Sequence, residues 1–134
     1  MLITWDELYS VKVEEIDEQH KKIVNYINEL HAAMKKGQGK DIIGEIIENL
    51  VDYSIVHFST EEKYFDLYNY DEAAPHKLEH KRFIETVGKF QKDYQEGDSL
   101  LPIEVMDFLE DWLVTHMLDT DKKYSNCFNS NGLF

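Results

Sequence analysis

The sequence is poor in cysteine and proline, with one cysteine, Cys127, and two prolines among its 134 residues. A single cysteine cannot form an internal disulfide, so we expect a cytoplasmic protein and assign the thiol no role. No apolar run in the sequence approaches the roughly 20 residues that a membrane-spanning helix needs. The first residues contain no basic segment, so we expect no secretory signal.

Positive charge is also scarce, since 14 Lys and Arg residues face 27 Asp and Glu residues, for a formal net charge of −13. A surface of this charge repels nucleic acid and anionic lipid, and we expect neither as a partner. The length indicates one domain over residues 1–134 with a single core. The oligomeric state stays open, and the sequence is compatible with a monomer.

Four segments repeat apolar residues at three- and four-residue steps, which is the period of an α-helix. The first helix is predicted over 17–36, with Asp17 as its N-cap and Gly37 at its end. The remaining helices are predicted over 40–66, 74–96 and 102–119. Residues 1–16 are interpreted as an extended arm, and residues 120–134, where the periodicity is lost, as a tail.

Amphipathic helices joined by short connections favour an all-α fold, here an antiparallel up-down-up-down four-helix bundle with an extended N-terminal arm. Candidate metal ligands occur at the start of the first and third helices and at the end of the second and fourth. In an antiparallel bundle, these four positions lie at one end of the core. The topology therefore predicts a cluster of seven side chains: His20, His57, Glu61, His76, His80, His116 and Asp121.

Two pairs in this set are four residues apart, His57 with Glu61 and His76 with His80, so each pair projects from one helix face. A single histidine on an apolar face is more often a hydrogen-bonded core residue than a ligand. A carboxylate on such a face, as at Glu61, needs a cation nearby because burial of an unpaired charge is costly. The convergence of all seven side chains therefore favours a metal.

His31 lies on nearly the same helix face as His20 but about 16 Å farther along the helix. We therefore assign it to packing or to a surface hydrogen bond. The role of Tyr124 is left open.

The donor set also narrows the choice of metal. Two octahedral ions offer about twelve coordination positions. Five histidines fill about five of them, two bridging carboxylates about four and a shared oxide or hydroxide about two, so one position stays vacant. Zinc prefers four ligands, and calcium and magnesium prefer oxygen. An imidazole-rich pair with one vacancy suits two irons that bind one small ligand, with the vacancy on the metal that has fewer histidines.

Taken in order, these motifs resemble the hemerythrins: Asp-x-x-His at 17–20, His-Phe-x-x-Glu-Glu at 57–62, His-x-x-x-His at 76–80 and His-x-x-x-x-Asp at 116–121. The resemblance covers nearly the whole chain, including the arm with Trp5 and the Asp-Trp-Leu-Val sequence at 111–114. Within the family, the chain is similar to the stand-alone bacterial hemerythrins.

The resemblance implies a non-haem centre of two iron ions (Fe2+/Fe3+) that binds O2 reversibly. The irons are bridged by oxide or hydroxide and by two carboxylates, Glu61 and Asp121. The histidines divide into three for one iron and two for the other: His76, His80 and His116, and then His20 and His57. O2 binds to the iron with two histidines. Leu118 and Trp112 resemble positions that line or support the O2 pocket.

The expected function is therefore binding of O2 for transport, storage or local supply, and not catalysis. The alternatives are a di-iron oxidase, an enzyme that consumes peroxide or nitric oxide, and a module that senses O2 or iron. Ferritin-like oxidases use more glutamates than this histidine-rich set provides, which favours reversible binding.

Asp121 can join the cluster only if the backbone before it departs from a regular α-helix. Five residues on a regular α-helix rotate the chain by about 500°, so Asp121 would point about 140° away from His116. If both bind the same centre, the backbone between them must form a wider turn or the helix must end.

Overall fold

The computed structural model describes residues 2–134, which form an antiparallel four-helix bundle. The bundle helices are α1 (Glu14–Lys35), α2 (Gly39–Tyr68), α3 (Ala73–Gln95) and α4 (Leu101–Trp112). The chain then continues through a π-helical segment (Leu113–Thr120), a 3-10 turn (Asp121–Tyr124) and a short helix α5 (Ser125–Ser130). Because α1 packs against α2 and α4, and α2 also packs against α3, the predicted fold class is confirmed.

Short connections reverse the chain between the bundle helices. Gly37 and Gly97 follow α1 and α3 with φ angles of 70° and 77°, a left-handed conformation that favours glycine. Pro75 and Pro102 lie in the first turns of α3 and α4, where the missing N–H breaks no helical hydrogen bond. These turns return each helix alongside its predecessor and bring alternate helix ends together.

The centre of the bundle is apolar and closely packed. Its fully buried side chains come from all four helices: Ile23, Ile27, Leu30, Ile46, Leu50, Phe83, Val105 and Leu109. Burial of one such aliphatic or aromatic side chain contributes roughly 1.5–3 kcal/mol. This apolar layer holds the helices in place and leaves one end of the core to polar side chains.

The N-terminus of α1 differs from the prediction. The helix begins at Glu14, three residues before the predicted start, and its N-cap is Val13, not Asp17. The Asp17 carboxylate instead accepts hydrogen bonds from the Ser10 hydroxyl (2.5 Å) and the Val11 N–H (2.8 Å). The N-cap prediction is wrong because the side chain of Asp17 binds the preceding arm.

The arm lies along the bundle over residues 2–13 and contains one 3-10 turn, Glu7–Tyr9. The N–H and C=O of Ile3 both bond to the side-chain amide of Asn28 in α1, at 2.8 Å each. Val11 and Val13 are fully buried. The prediction of an extended arm pinned by apolar side chains therefore holds up to residue 13, and residues 14–16 belong to α1.

The segment 120–134, predicted as an irregular tail, is largely helical and packed. Tyr124 and Phe128 are fully buried. They share a second apolar cluster with residues of the arm, α1 and α2: Val11, Val13, Ile16 and Phe65. The tail prediction is wrong because contacts with distant segments, which local periodicity does not report, stabilise this region.

Two hydrogen bonds fasten the tail to the arm. The Lys122 ammonium donates to the Leu8 carbonyl, and the Asn129 side-chain amide donates to the Lys12 carbonyl at 3.0 Å. We call these two bonds the arm–tail latch. The latch and the second apolar cluster cover the polar end of the bundle core.

Replacement of Asp17 by alanine is expected to loosen the arm. The buried N–H of Val11 would lose its acceptor, and an unsatisfied buried donor costs about 1–3 kcal/mol. Urea denaturation should therefore show a lower midpoint and a free energy of unfolding reduced by that amount. Glu29→Ala, at an exposed position of the same helix, is the matched control. Equal unfolding midpoints for the two variants would contradict the role of Asp17.

The helices of residues 2–134 include none with both the length and the apolar character needed to cross a bilayer.

Candidate metal centre

The polar end of the core contains the side chains that the sequence pattern predicts to converge. Each has at most 1% of its surface exposed: His20, His57, Glu61, His76, His80, His116 and Asp121. His31 lies elsewhere on α1 and is half-buried. The structure thus brings the seven candidate ligands together and leaves His31 outside the cluster.

The carboxylate of Asp121 contacts histidines from three helical segments. Its Oδ1 lies 2.8 Å from Nε2 of both His76 and His116, whereas its Oδ2 lies 2.9 Å from Nε2 of His20. The two oxygens therefore face different histidine groups, as a carboxylate that bridges two ions must.

Glu61 occupies the corresponding position on α2. Its Oε1 lies 3.1 Å from Nε2 of His57, one turn earlier, and 3.0 Å from Nε2 of His80 on α3. Nε2 of His20 and Nε2 of His57 are themselves 3.1 Å apart. The ring nitrogens and carboxylate oxygens thus point toward a shared space between the helices.

The wide turn after α4 brings Asp121 into this space. Leu113–Thr120 is π-helical, and the Asp121 N–H bonds to the carbonyl of His116, five residues back. This confirms the prediction that the backbone departs from a regular α-helix between the two side chains. π-Turns within helices are frequent at functional sites.

The seven side chains form two groups that could each hold a metal ion, with the donor atoms of a group within 4.8 Å of one another. Both groups contain Glu61 and Asp121. The histidines divide between them as three and two: His76, His80 and His116 in one, His20 and His57 in the other. Two neighbouring ions that share two carboxylates would fit this arrangement.

Several buried polar atoms at the centre have no hydrogen-bond partner within residues 2–134, which also fits bound cations. Both oxygens of Glu61 and of Asp121 are buried without a donor in hydrogen-bond geometry, and so is Nε2 of three histidines, His76, His80 and His116. Buried polar atoms are normally paired, so a cluster of unpaired acceptors aimed at one space needs an explanation. Metal ions would satisfy all of them, because each atom has a lone pair to donate.

The ionisation of the carboxylates agrees with a cation site. Burial raises the pKa of the Asp121 carboxyl, but the surrounding histidines, His116 foremost, outweigh it and hold that pKa well below its usual value. Burial and the charge of Asp121 raise the pKa of Glu61, but the nearby His57 and His80 outweigh them and lower it. Both carboxylates are therefore charged at neutral pH and offer two negative charges to the centre.

Aromatic rings fix the orientation of the histidines and exclude water. Phe58 stacks on His80 with ring centroids 3.9 Å apart, and Trp112 stacks on His116 at 3.8 Å. Trp112 is buried, whereas Leu118, the other predicted pocket residue, is half-buried. Trp112 thus packs on the three-histidine group.

Two buried tyrosines lie beside the centre. Tyr53 stacks on His57 at 5.0 Å, and Tyr124 lies 5.7 Å from His76, measured between ring centroids. Burial raises the pKa of both phenols well above its usual value. Both phenols are therefore neutral at physiological pH, and Tyr124, which the sequence left open, forms part of the wall of the site.

Three polar residues to which the sequence analysis assigned no role lie within hydrogen-bond distance of histidine Nδ1 atoms, the ring nitrogens that face away from the centre. Nδ1 of His80 lies 2.8 Å from Glu62, and Nδ1 of His116 lies 3.1 Å from Glu79. Nδ1 of His57 lies 2.7 Å from the side-chain amide oxygen of Gln19. Only their positions in the sequence could have indicated this role: Gln19 and Glu79 each precede a candidate histidine, and Glu62 follows Glu61.

A cavity of about 100 Å³ lies beside the two-histidine group. It is lined by residues of α1 and α2: Gln19, Lys22, Tyr26, Asp52, Tyr53, Val56 and His57. Because His57 is one of the lining residues, a molecule with a few atoms has space next to this half of the centre.

An antiparallel bundle with five histidines and two carboxylates buried at one end defines a class, the four-helix proteins that hold a pair of metal ions inside the bundle. The profile of the hemerythrin HHE cation binding domain matches residues 11–127. The chain belongs to the hemerythrin family, whose members are non-haem di-iron proteins that bind O2.

Individual relatives extend this match to nearly the whole chain. Bacteriohemerythrin of Methylococcus capsulatus is 32% identical over 130 residues, covering 96% of this chain and 98% of the relative. Myohemerythrin-1 of Phascolopsis gouldii is 29% identical, covering 90% and 89%. A crystal structure of wild-type hemerythrin superimposes with a TM-score of 0.83 at 32% identity, covering 95% of this chain and 98% of that one.

Proposed function

We propose that the protein binds O2 reversibly at a di-iron centre and serves as a carrier, a store or a local supplier of oxygen. In this proposal, one iron is held by three histidines and the other by two: His76, His80 and His116, and then His20 and His57. Glu61 and Asp121 bridge the irons together with an oxide or hydroxide. The observation that carries the proposal is the pair of donor groups that share both carboxylates.

When bound, two ferrous ions would supply the electrons and the binding position for O2. The chain supplies the surroundings. Its buried histidines hold the ions, the ionised carboxylates balance their charge, and stacked rings such as Phe58 and Trp112 keep water away. A dry site limits loss of the bound ligand to side reactions with water.

The unequal division of the histidines supports O2 binding on the half formed by His20 and His57, which has fewer protein ligands. The cavity beside His57 supports the same half. Trp112 stacks on His116, which suggests that it supports the other half. A pocket role for Leu118 and Trp112 stays a prediction, as do the cytoplasmic location and the absence of nucleic-acid and membrane partners.

The proposal of a binding protein, and not an enzyme, follows from the ligand set. Ferritin-like di-iron sites take a glutamate from each of two helices and a Glu-x-x-His motif from each of the other two. This centre has five histidines and two carboxylates, so it gives less anionic support to highly oxidised iron. The same family membership is compatible with a module that senses O2 or iron.

Visible spectroscopy on the diferrous protein tests the proposal. We expect an absorption band that appears on exposure to air and disappears when O2 is removed, over repeated cycles. A Glu61→Ala variant is the matched control and should show no such band. Irreversible bleaching in the first cycle, or continuous O2 consumption with a reductant, would favour the oxidase alternative instead.

A further inference from the structure

The two halves of the centre differ in the groups that support their histidines from behind. In the three-histidine half, His80 and His116 each direct Nδ1 at a carboxylate, Glu62 and Glu79. In the two-histidine half, His57 directs Nδ1 at the neutral amide of Gln19. Each half also has one histidine whose Nδ1 has no hydrogen-bond partner within residues 2–134, His76 in the first and His20 in the second.

This difference affects how strongly each half binds a cation. An imidazole whose outer N–H donates to a carboxylate is a stronger base at its other nitrogen, and its ring is held in the ligating orientation. A neutral amide such as that of Gln19 orients the ring without adding charge. The outer residues thus add two negative charges behind one half, from Glu62 and Glu79, and none behind the other.

The position of Glu79 is itself fixed. Its Oε1 accepts a second hydrogen bond, from the hydroxyl of Thr120 at 3.3 Å, so α3 is tied to the π-helical segment through this side chain. Glu62 and Glu79 are 35% and 32% exposed, which screens part of their charge. We therefore expect an effect at the low end of the 10–100-fold range that is typical of such outer partners.

We propose that Glu62 and Glu79 make the two halves unequal in metal affinity, so that the three-histidine half keeps its ion while the two-histidine half fills last and empties first. Glu62, Glu79 and Gln19 act through histidines and are positioning residues. The inference rests on the proposed two-metal centre and concerns the order in which its ions are held.

Isosteric substitutions separate charge from shape. Glu62→Gln and Glu79→Gln keep an oxygen that accepts from the histidine N–H and remove only the negative charge. Gln19→Glu does the reverse at a side chain that is only 9% exposed, where an added charge is screened less by water. Glu85→Gln, at an exposed position of α3, is the control for loss of one glutamate charge.

The experiment measures iron release from the diferrous full-length protein into an excess of a colour-forming Fe2+ chelator without oxygen. We expect two phases in the unsubstituted protein, each releasing one iron per chain. The double variant Glu62→Gln/Glu79→Gln should accelerate the slow phase about tenfold and leave the fast phase unchanged. Gln19→Glu should slow the fast phase, and Glu85→Gln should alter neither.

Melting temperatures of the metal-free variants show whether a substitution damages the fold, since a purely structural effect lowers them and accelerates both phases. Release of both irons at one rate in the unsubstituted protein would overturn the inference. So would an unchanged slow phase in the double variant, or equal acceleration of both phases. A protein that never holds two irons would contradict the proposed centre itself, and the inference with it.

Discussion

Replacement of Glu61 by alanine should abolish the paired metal site, so that the protein retains at most one iron per chain. Glu61 belongs to both donor groups, and its Oε1 lies close to His57 and His80. The substitution therefore removes a donor from each half and a buried negative charge from among the histidines. Neither half can then keep its full ligand set, and the bridge between the halves is reduced to Asp121.

Iron-to-protein stoichiometry after anaerobic loading and gel filtration measures this effect. Glu61→Gln preserves the shape of the side chain and should also lose iron, because the charge is removed. His31→Ala is the matched control, since His31 lies on α1 about 16 Å along the helix from His20. Two irons retained in Glu61→Ala, or iron lost in His31→Ala, would show that the assignment is wrong.

Removal of the metal should lower the melting temperature by at least roughly 10 °C. A ligand that binds only the folded state at 1,000 times its dissociation constant stabilises that state by about 4.1 kcal/mol. In a chain of this size, each kcal/mol shifts the melting temperature by about 3–5 °C. Without cations, seven buried polar side chains also lose their shared partner. The destabilisation is therefore concentrated at one end of the bundle.

Calorimetry of iron-loaded and metal-free protein at neutral pH measures the first effect, and amide hydrogen exchange measures its location. We expect exchange to rise first in the segments that carry the ligands, around His57, His80 and the π-helical segment. Amides at the opposite end, near Gly44, should stay protected. Metal should raise the melting temperature of Glu61→Ala by less than it raises that of the unsubstituted protein. Equal melting temperatures of loaded and metal-free protein would contradict a shared buried centre.

Much of this architecture is visible in the sequence because a long helix repeats one pattern many times. The stripe from Ile43 through His57 to Phe65 spans most of α2, so its period is unambiguous. The unusual backbone between His116 and Asp121 could also be predicted from helix geometry, since two residues five positions apart do not lie on one face of a regular α-helix. The bundle therefore follows from spacing. The spacing, together with a shared centre, requires a wider turn or an end of the helix, and the structure shows the wider turn.

Features that depend on distant segments were not visible. Asp17 has the composition of an N-cap, yet its partners are Ser10 and Val11 in the arm. In the tail, Tyr124 and Phe128 continue the inward positions after Met117 and Asp121. A carboxylate within that series interrupts the apolar pattern, so the segment resembles an irregular tail until its contacts are known.

Glu62 and Glu79 illustrate a further limit. Both are partly exposed glutamates on helices, the composition of an ordinary solvated face. Only the orientation of the His80 and His116 rings shows that these two carboxylates are directed at the centre. Ring orientation depends on side-chain packing across three helical segments, which residue spacing does not specify.

The arm–tail latch has a consequence for the order of events during synthesis. Asn129 and Lys12 are 117 residues apart, and such distant contacts form late because their loops are costly to close. A nascent chain that does not yet contain residues 116–121 has neither the third histidine of one half nor the shared Asp121 carboxylate. Iron therefore enters only after the four bundle helices and the π-helical segment have been synthesised.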